Sequence, residues 1–212
     1  MCGLTRPSDA MVAEAAGAAY VGAILVPGSP RYVDAAVART VGEAVDLPLV
    51  IVVADRPAGE VAQLAADTGA GAIQLHGDES SDLPGALRDL GDWELWKAVR
   101  VRSEKDIQRA AERFGGAIDL LLLDGWQAHA LGGTGRVFPW ETLEAVRPGL
   151  PDGLRIGVAG GLTAENVPDA VLRLAPDLVD VSSGVESGPG EKDPGEVDAF
   201  VRAALSAAGQ LR

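Results

Sequence analysis

A single cysteine, Cys2, stands in the 212 residues, so the chain forms no internal disulfide. With only two histidines, His76 and His129, it also has no Cys/His set spaced for structural zinc. Positive charge is scarce as well. The chain has 18 basic against 31 acidic side chains, and its formal charge of −13 repels nucleic-acid phosphates and anionic membrane surfaces; neither is expected as a partner. No apolar run approaches the roughly 18 unbroken residues of a membrane span. Arg6, Asp9 and Glu14 interrupt the opening residues, where a secretory leader would be basic and then continuously apolar, so a cytoplasmic protein is expected. Aromatic residues make up 4% of the chain, and Trp93, Trp96 and Trp140 suit packing better than stacking platforms.

What is present is an alternation. Short apolar, strand-like runs begin near Cys2, Ala19, Pro48, Ala72, Leu95, Leu120, Arg155 and Leu178. Between them the apolar residues take helical spacing, as in Val12/Ala15/Ala16/Ala19, Val61/Leu64/Ala65/Thr68, Ile107/Ala110/Ala111/Phe114, Val167/Ala170/Val171/Leu174 and Val197/Phe200/Val201/Ala204. Ser8-Asp9, Ser103 with Asp106, Thr163, and Asp193-Pro194 with Glu196 mark helix starts, and Gly17, Gly69 and Gly115 mark left-handed helix ends. The runs Leu49–Val53 and Leu120–Leu123 are continuously apolar, as in a parallel sheet covered on both faces. Repeated strand–helix units over this length predict a (β/α)8 TIM barrel, one α/β domain over residues 1–212. An open doubly wound sheet is the alternative.

In such a barrel the chemistry sits where strands run out into the following loops. Cys2 ends the first strand, Arg31 follows the second on the stiff Ser29-Pro30 turn, His76 follows the fourth, Asp124 tops the sixth and Asp180 the eighth. Asp124 directly follows four leucines, where desolvation raises a carboxyl towards the range of a general acid. Cys2 suits a base or nucleophile if its thiolate is stabilised, and the guanidinium of Arg31 suits a carboxylate. Gly133 and Gly135 after the sixth strand, Gly160-Gly161 after the seventh and Ser183-Gly184 after the eighth are turns of the kind that hold a phosphate on backbone N–H groups; a phosphorylated small-molecule substrate is expected. Trp126 and His129 read as loop residues. No helix face carries an apolar excess large enough to name an interface, so a monomer is expected.

These motifs resemble the phosphoribosylanthranilate isomerase family. The resemblance runs in order along nearly the whole chain: CGLTRPSDA at Cys2–Ala10, GSPRYV at Gly28–Val33, IQLHGDES at Ile73–Ser80, LLLD at Leu121–Asp124, LGGTGRVFPW at Leu131–Trp140, AGGLTAENV at Ala159–Val167, and VDVSSGVESGPGEKD at Val179–Asp193. It implies an Amadori rearrangement of N-(5′-phosphoribosyl)anthranilate without metal or cofactor. By the same resemblance Asp124 would be the general acid and Cys2 the general base, Arg31 would hold the anthranilate carboxylate, and Asp180 would approach the sugar hydroxyls. Gly133, Gly135, Gly160, Gly161, Ser183 and Gly184 would cradle the phosphate, and His76 would stand near the substrate. Only Met1 precedes Cys2, where family members have several residues of strand, so an unusually short first strand is expected; either the true start lies upstream or the fold tolerates a notch at the barrel bottom. Ala23 and Leu25 also stand where the family often has phenylalanines. Two other readings stay open: a related phosphosugar isomerase or epimerase barrel, and a ligand-binding barrel made inactive by the short strand.

Overall fold

The computed structural model describes residues 1–125 and 138–211. Seven parallel strands pair strictly in chain order: β1 (Val21–Ile24), β2 (Leu49–Val53), β3 (Ala72–Leu75), β4 (Glu94–Val101), β5 (Leu120–Gly125), β6 (Arg155–Val158) and β7 (Leu178–Val179). Outside them lie α1 (Pro7–Ala16), α2 (Ala35–Glu43), α3 (Ala58–Thr68), α4 (Leu83–Arg88), α5 (Glu104–Phe114), α6 (Glu141–Val146), α7 (Val167–Leu174) and α8 (Pro194–Gly209), with α8 packed against both α7 and α1.

The eighth stave is the segment 1–4. Met1 donates its N–H to Tyr20 O, Gly22 N–H donates to Met1 O at 2.8 Å and Leu4 N–H to Gly22 O at 2.9 Å. On the other side Cys2 N–H donates to Val181 O at 2.9 Å. These bonds join the β1 side to the chain leaving β7, so the sheet closes into a (β/α)8 barrel. The segment is not a regular strand because Gly3 sits at φ +71°, which breaks the ladder after one pair. A cavity of about 360 Å³ opens under Met1 at the barrel bottom, lined in part by Tyr20, Trp96, Leu178 and Phe200.

The continuously apolar strands are explained by burial on two sides. Val50, Ala72, Trp96, Ala98, Leu120, Leu122 and Ala159 form one cluster inside the barrel. Their alternates, among them Ile51, Ile73, Leu95, Leu121 and Leu123, join the larger core beneath the helices. The bottom of the interior is polar but paired: Tyr20 Oη donates to Glu94 at 2.8 Å and Arg155 to the other oxygen of Glu94 at 2.7 Å.

The predicted apolar faces of α5, α7 and α8 are all buried. The α1 face differs in part: Asp9, Ala10 and Ala13 are buried, Val12 and Ala16 pack half-buried against the core, Ala15 is exposed, and the helix stops before Ala19. Three cap assignments are corrected. Pro7 starts α1 behind Arg6, leaving Ser8 and Asp9 inside the first turn. The turn after Thr163 delays α7 until Val167, with Asn166 before it. Gly115 keeps right-handed geometry at φ −57°, whereas Gly17 and Gly69 are left-handed as expected. The Asp106 carboxylate accepts from Ser103 N–H, and Asp193 accepts from Gly195 and Glu196 N–H, as the spacing predicts.

A Cβ on Gly3 would meet Arg31 Cδ at 2.6 Å and Ser182 Oγ at 2.7 Å, on top of the strained φ. Gly28 shares the left-handed conformation, at φ +87°, with nothing within 4 Å. Gly28→Ala is therefore expected to lose about 1–2 kcal/mol from conformation alone, and Gly3→Ala several kcal/mol as the closing segment is displaced. Urea unfolding of both variants checks this; equal losses would show that the closure at Gly3 is not sterically tight.

Candidate active site

At the C-terminal ends of the strands a cleft of about 440 Å³ opens. It gathers nearly every described position expected from the sequence: Cys2, Arg31, His76, Asp124, Gly160, Gly161, Asp180, Ser183 and Gly184 all line it. Gly133 and Gly135, with Trp126 and His129, lie outside the described residues.

Asp124 ends the run Leu120–Leu123, so its carboxyl is carried to the top of a strand with little water around it. Burial pushes its pKa up to about 6, the Asp180 charge adds to this, and the Gly125 N–H and Arg100 oppose it. His76 Nε2 stands 3.6 Å from Asp124 Oδ2. Gln74 Nε2 donates to His76 Nδ1 at 2.8 Å, which places the ring proton on Nε2, facing the carboxyl. Burial, with the charges of Arg100 and Lys97, pulls the imidazole down to about 4, so His76 is neutral near pH 7. Its loop is pinned from behind: Lys97 Nζ donates to Gly77 O at 2.7 Å and to Glu79 at 2.8 Å, and the other Glu79 oxygen accepts from Gly77 N–H at 2.7 Å.

Cys2 enters the cleft from the closing segment. Burial pushes its thiol up to about 12 and Asp180 adds to the rise, while the Met1 ammonium, Lys192 and Gly3 N–H work against it. Asp180 is itself raised, by burial first, and its charge acts on both Cys2 and Asp124. The empty site therefore holds its thiol protonated.

On the β6–β7 side, Gly160 and Gly161 are successive left-handed residues at φ +80° and +67°. A Cβ on Gly160 would overlap Gly125 N and Asp124 Oδ1, and one on Gly184 would overlap Leu162 O. Side-chain-free backbone thus lets the two loops meet beside the acid. Ser183 opens a 3₁₀ turn, Ser183–Val185, whose first N–H groups have no partner within the turn. Ser182 also lines the cleft, with its Oγ buried and without a hydrogen-bond partner.

Arg31 is buried, and its Nε and one terminal nitrogen donate to Glu186 at 2.8 and 2.6 Å. Glu186 lies on the small hairpin β8 (Glu186–Gly188) and β9 (Glu191–Lys192), whose Lys192 also donates to Glu186, at 2.8 Å. Sequence reading did not single out Gln74, Arg100, Ser182, Glu186 or Lys192. Glu186 and Lys192 carried a signal inside the VESGPGEKD run, where charged residues flank a glycine turn. Arg100 carried none beyond its place at the end of β4. Among the described residues no group of His, Cys, Asp and Glu could hold a metal, and no helix is long and apolar enough to cross a membrane.

The family model described as N-(5′-phosphoribosyl)anthranilate (PRA) isomerase matches residues 1–203. This chain belongs to the phosphoribosylanthranilate isomerase family, and it is an isomerase. It is 40% identical to the N-(5′-phosphoribosyl)anthranilate isomerase of Nostoc punctiforme, over 91% of each chain. Against that of Neisseria meningitidis it is 42% identical, over 96% of this chain and 94% of the relative. The phosphoribosylanthranilate isomerase of Thermus thermophilus superposes with a TM-score of 0.85 at 32% identity, covering 100% of this chain and 98% of that one. Another family structure, at 29% identity and TM-score 0.82 over 97% and 96% of the two chains, was crystallised with reduced 1-(o-carboxyphenylamino)-1-deoxyribulose 5-phosphate. A 3-hexulose-6-phosphate synthase from Salmonella typhimurium, at 19% identity and TM-score 0.67, shares the fold alone.

Two outcomes follow for this isomerase. The Asp124 carboxyl titrates above its ordinary 3.8, so the native state binds the proton more tightly than the unfolded chain, and stability falls as pH rises from about 4 to about 6. Asp124→Asn is expected to gain on the order of 1–3 kcal/mol near pH 8, a gain that narrows as pH drops through 6. Urea midpoints across that range read it; a gap independent of pH would remove the titration account. The raised thiol predicts that alkylation of Cys2 by iodoacetamide in the empty enzyme stays slow and climbs tenfold per pH unit without a plateau up to about pH 9. A plateau near the ordinary thiol range would show that burial does not govern it.

Proposed function

We propose that the cleft carries out the Amadori rearrangement of N-(5′-phosphoribosyl)anthranilate to 1-(o-carboxyphenylamino)-1-deoxyribulose 5-phosphate, in tryptophan biosynthesis, by acid–base steps on Asp124 and Cys2. Asp124 gives its proton to the ribose ring oxygen. The C1′–O bond breaks with its electron pair going to that oxygen, and the nitrogen lone pair forms the C1′=N iminium. Cys2 thiolate takes the C2′ proton; the C–H pair becomes the C1′=C2′ bond and the iminium π pair returns to nitrogen. The enol so formed loses its hydroxyl proton and gains one at C1′, which gives the ketone.

The observation that carries this reading is a carboxyl and a thiol lining one cleft, both raised by burial and by the Asp180 charge. A carboxyl pushed up to about 6 keeps a usable fraction protonated near neutral pH, where an ordinary aspartic acid keeps almost none. Burial holds the thiol protonated, at about 12, before substrate binds; in the complex it releases that proton to solvent and acts as the base. There the iminium places a positive charge beside it, and a cation next to a thiol favours the thiolate. Neutral His76 donates towards Asp124 and steadies the carboxylate left after proton transfer. Arg31 holds the anthranilate carboxylate, Asp180 faces the sugar hydroxyls, and the loops of Gly160, Gly161, Ser183 and Gly184 hold the phosphate. The protein acts as a monomer in the cytoplasm.

Adding the purified enzyme to freshly generated phosphoribosylanthranilate should extinguish the substrate fluorescence. Asp124→Ala and Cys2→Ala should each slow this by about 10²–10⁴-fold with the fold intact by circular dichroism. Full turnover by either variant refutes that residue's role. Binding of the reduced product without any turnover by the unmutated chain would favour the ligand-binding barrel instead.

A further inference from the structure

The wall behind Arg31 holds more charge than the cleft displays. Arg31 lines the cleft, whereas Glu186 and Lys192 do not. Glu186 takes Arg31 along one whole edge, at 2.8 and 2.6 Å, and the oxygen that accepts Arg31 Nε also accepts Lys192 Nζ at 2.8 Å. Lys192 Nζ donates further to Ser182 O at 2.9 Å. The three side chains keep 7%, 4% and 1% of their surface, so these interactions are barely screened by water.

An arginine bound edge-on to a buried carboxylate is half of a neutral pair. A second carboxylate arriving on its other edge would gain the guanidinium but meet the repulsion of the first. Lys192 changes that balance. Arg31 and Lys192 contribute +1 each and Glu186 −1, so the triad carries one net positive charge, enough for one incoming carboxylate. The other groups facing it are accounted for. Asp180 has the Met1 ammonium 3.9 Å away, the Cys2 thiol is held uncharged by burial, and Asp9, which accepts Lys192 N–H, is paired with Arg6, which also meets Glu191, an exposed and solvent-screened carboxylate, at 3.6 Å.

Building on the reading of Arg31 given above, we infer that Lys192, without reaching the cleft, supplies the net charge that makes the Arg31 pocket selective for a substrate carboxylate, and that Glu186 is the positioning residue that turns the free edge of Arg31 outward. The pocket thereby selects an o-carboxyphenylamino sugar phosphate over the same compound lacking the carboxylate.

The test compares calorimetric binding of two ligands, reduced 1-(o-carboxyphenylamino)-1-deoxyribulose 5-phosphate and its counterpart made with aniline in place of anthranilate. The unmutated enzyme should prefer the carboxylate ligand by about tenfold or more. Lys192→Gln keeps amide donors for Ser182 O and Glu186 but removes the charge. It should cut the preference to below about threefold, leaving affinity for the aniline ligand within about twofold, and Lys192→Arg should restore the preference. If Lys192→Gln fails to fold by circular dichroism, Lys192→Met takes its place with the same expectation. An unchanged preference in the uncharged variant overturns the inference, as does an equal loss for both ligands, which would mean a structural role only. If the unmutated enzyme binds both ligands equally, the inference falls together with the carboxylate role of Arg31. If it binds neither, the isomerase reading fails first.

Discussion

The structure depends on the few backbone hydrogen bonds that tie residues 1–4 between β1 and the chain leaving β7. They are the seam of the barrel. Without the bonds from Gly22 to Met1, Leu4 to Gly22 and Cys2 to Val181, the seven strands would form an open curl with two unpaired edges. The same bonds deliver Cys2 to the cleft, so closure of the fold and completion of the site are one event. Gly3 is the residue that makes this compatible. Its left-handed turn ends the ladder after a single pair, and its missing side chain admits Arg31 and Ser182 into contact with the segment.

Around that seam the structure concentrates buried charge. Asp9, held by Arg6, accepts the backbone N–H of Lys192, and Thr5 Oγ1 donates to Gly190 O at 2.6 Å, so the β8–β9 hairpin is bolted to the residues just after the seam. The hairpin in turn brings Glu186 to Arg31. Across the cleft, Lys97 and Glu79 brace the loop of His76. Each buried ion here is paired and hydrogen-bonded, the condition under which charge is tolerated away from water. Burial disfavours the charged forms of Asp124, Cys2 and Asp180, the last despite the Met1 ammonium 3.9 Å away. Those are the groups to which the proposed mechanism gives proton transfer or contact with the ligand, and burying them costs stability.

The conduct of the helices shows how far local pattern reaches. Helices α5, α7 and α8 bury the faces that periodicity picks out, because each has a wide stripe of large apolar side chains. Helix α1 does so only in part, because four of its ten residues are alanine. With Met11 and Val12 its only large apolar side chains, its orientation is decided by the bonds Asp9 makes to Arg6 and Lys192 rather than by its own hydrophobic face. Gly115 fails as a left-handed cap for a similar reason: glycine permits that conformation without requiring it.

The sequence by itself determined the strand–helix alternation, the two-sided burial of runs such as Leu120–Leu123, and the placing of Cys2, Arg31, His76, Asp124, Asp180 and the glycine turns at strand ends, because these follow from side-chain period and local backbone preference. Only the tertiary structure decided that a seam of a few backbone bonds suffices to close the barrel, that Gln74 sets the tautomer of His76, and that Glu186 and Lys192 stand behind Arg31. Glu186 lies 155 positions from Arg31 along the chain. Nothing local records such a meeting, since hydrogen bonds and buried ion pairs act over a few ångströms of space, and which residues come that close is settled when the whole barrel closes.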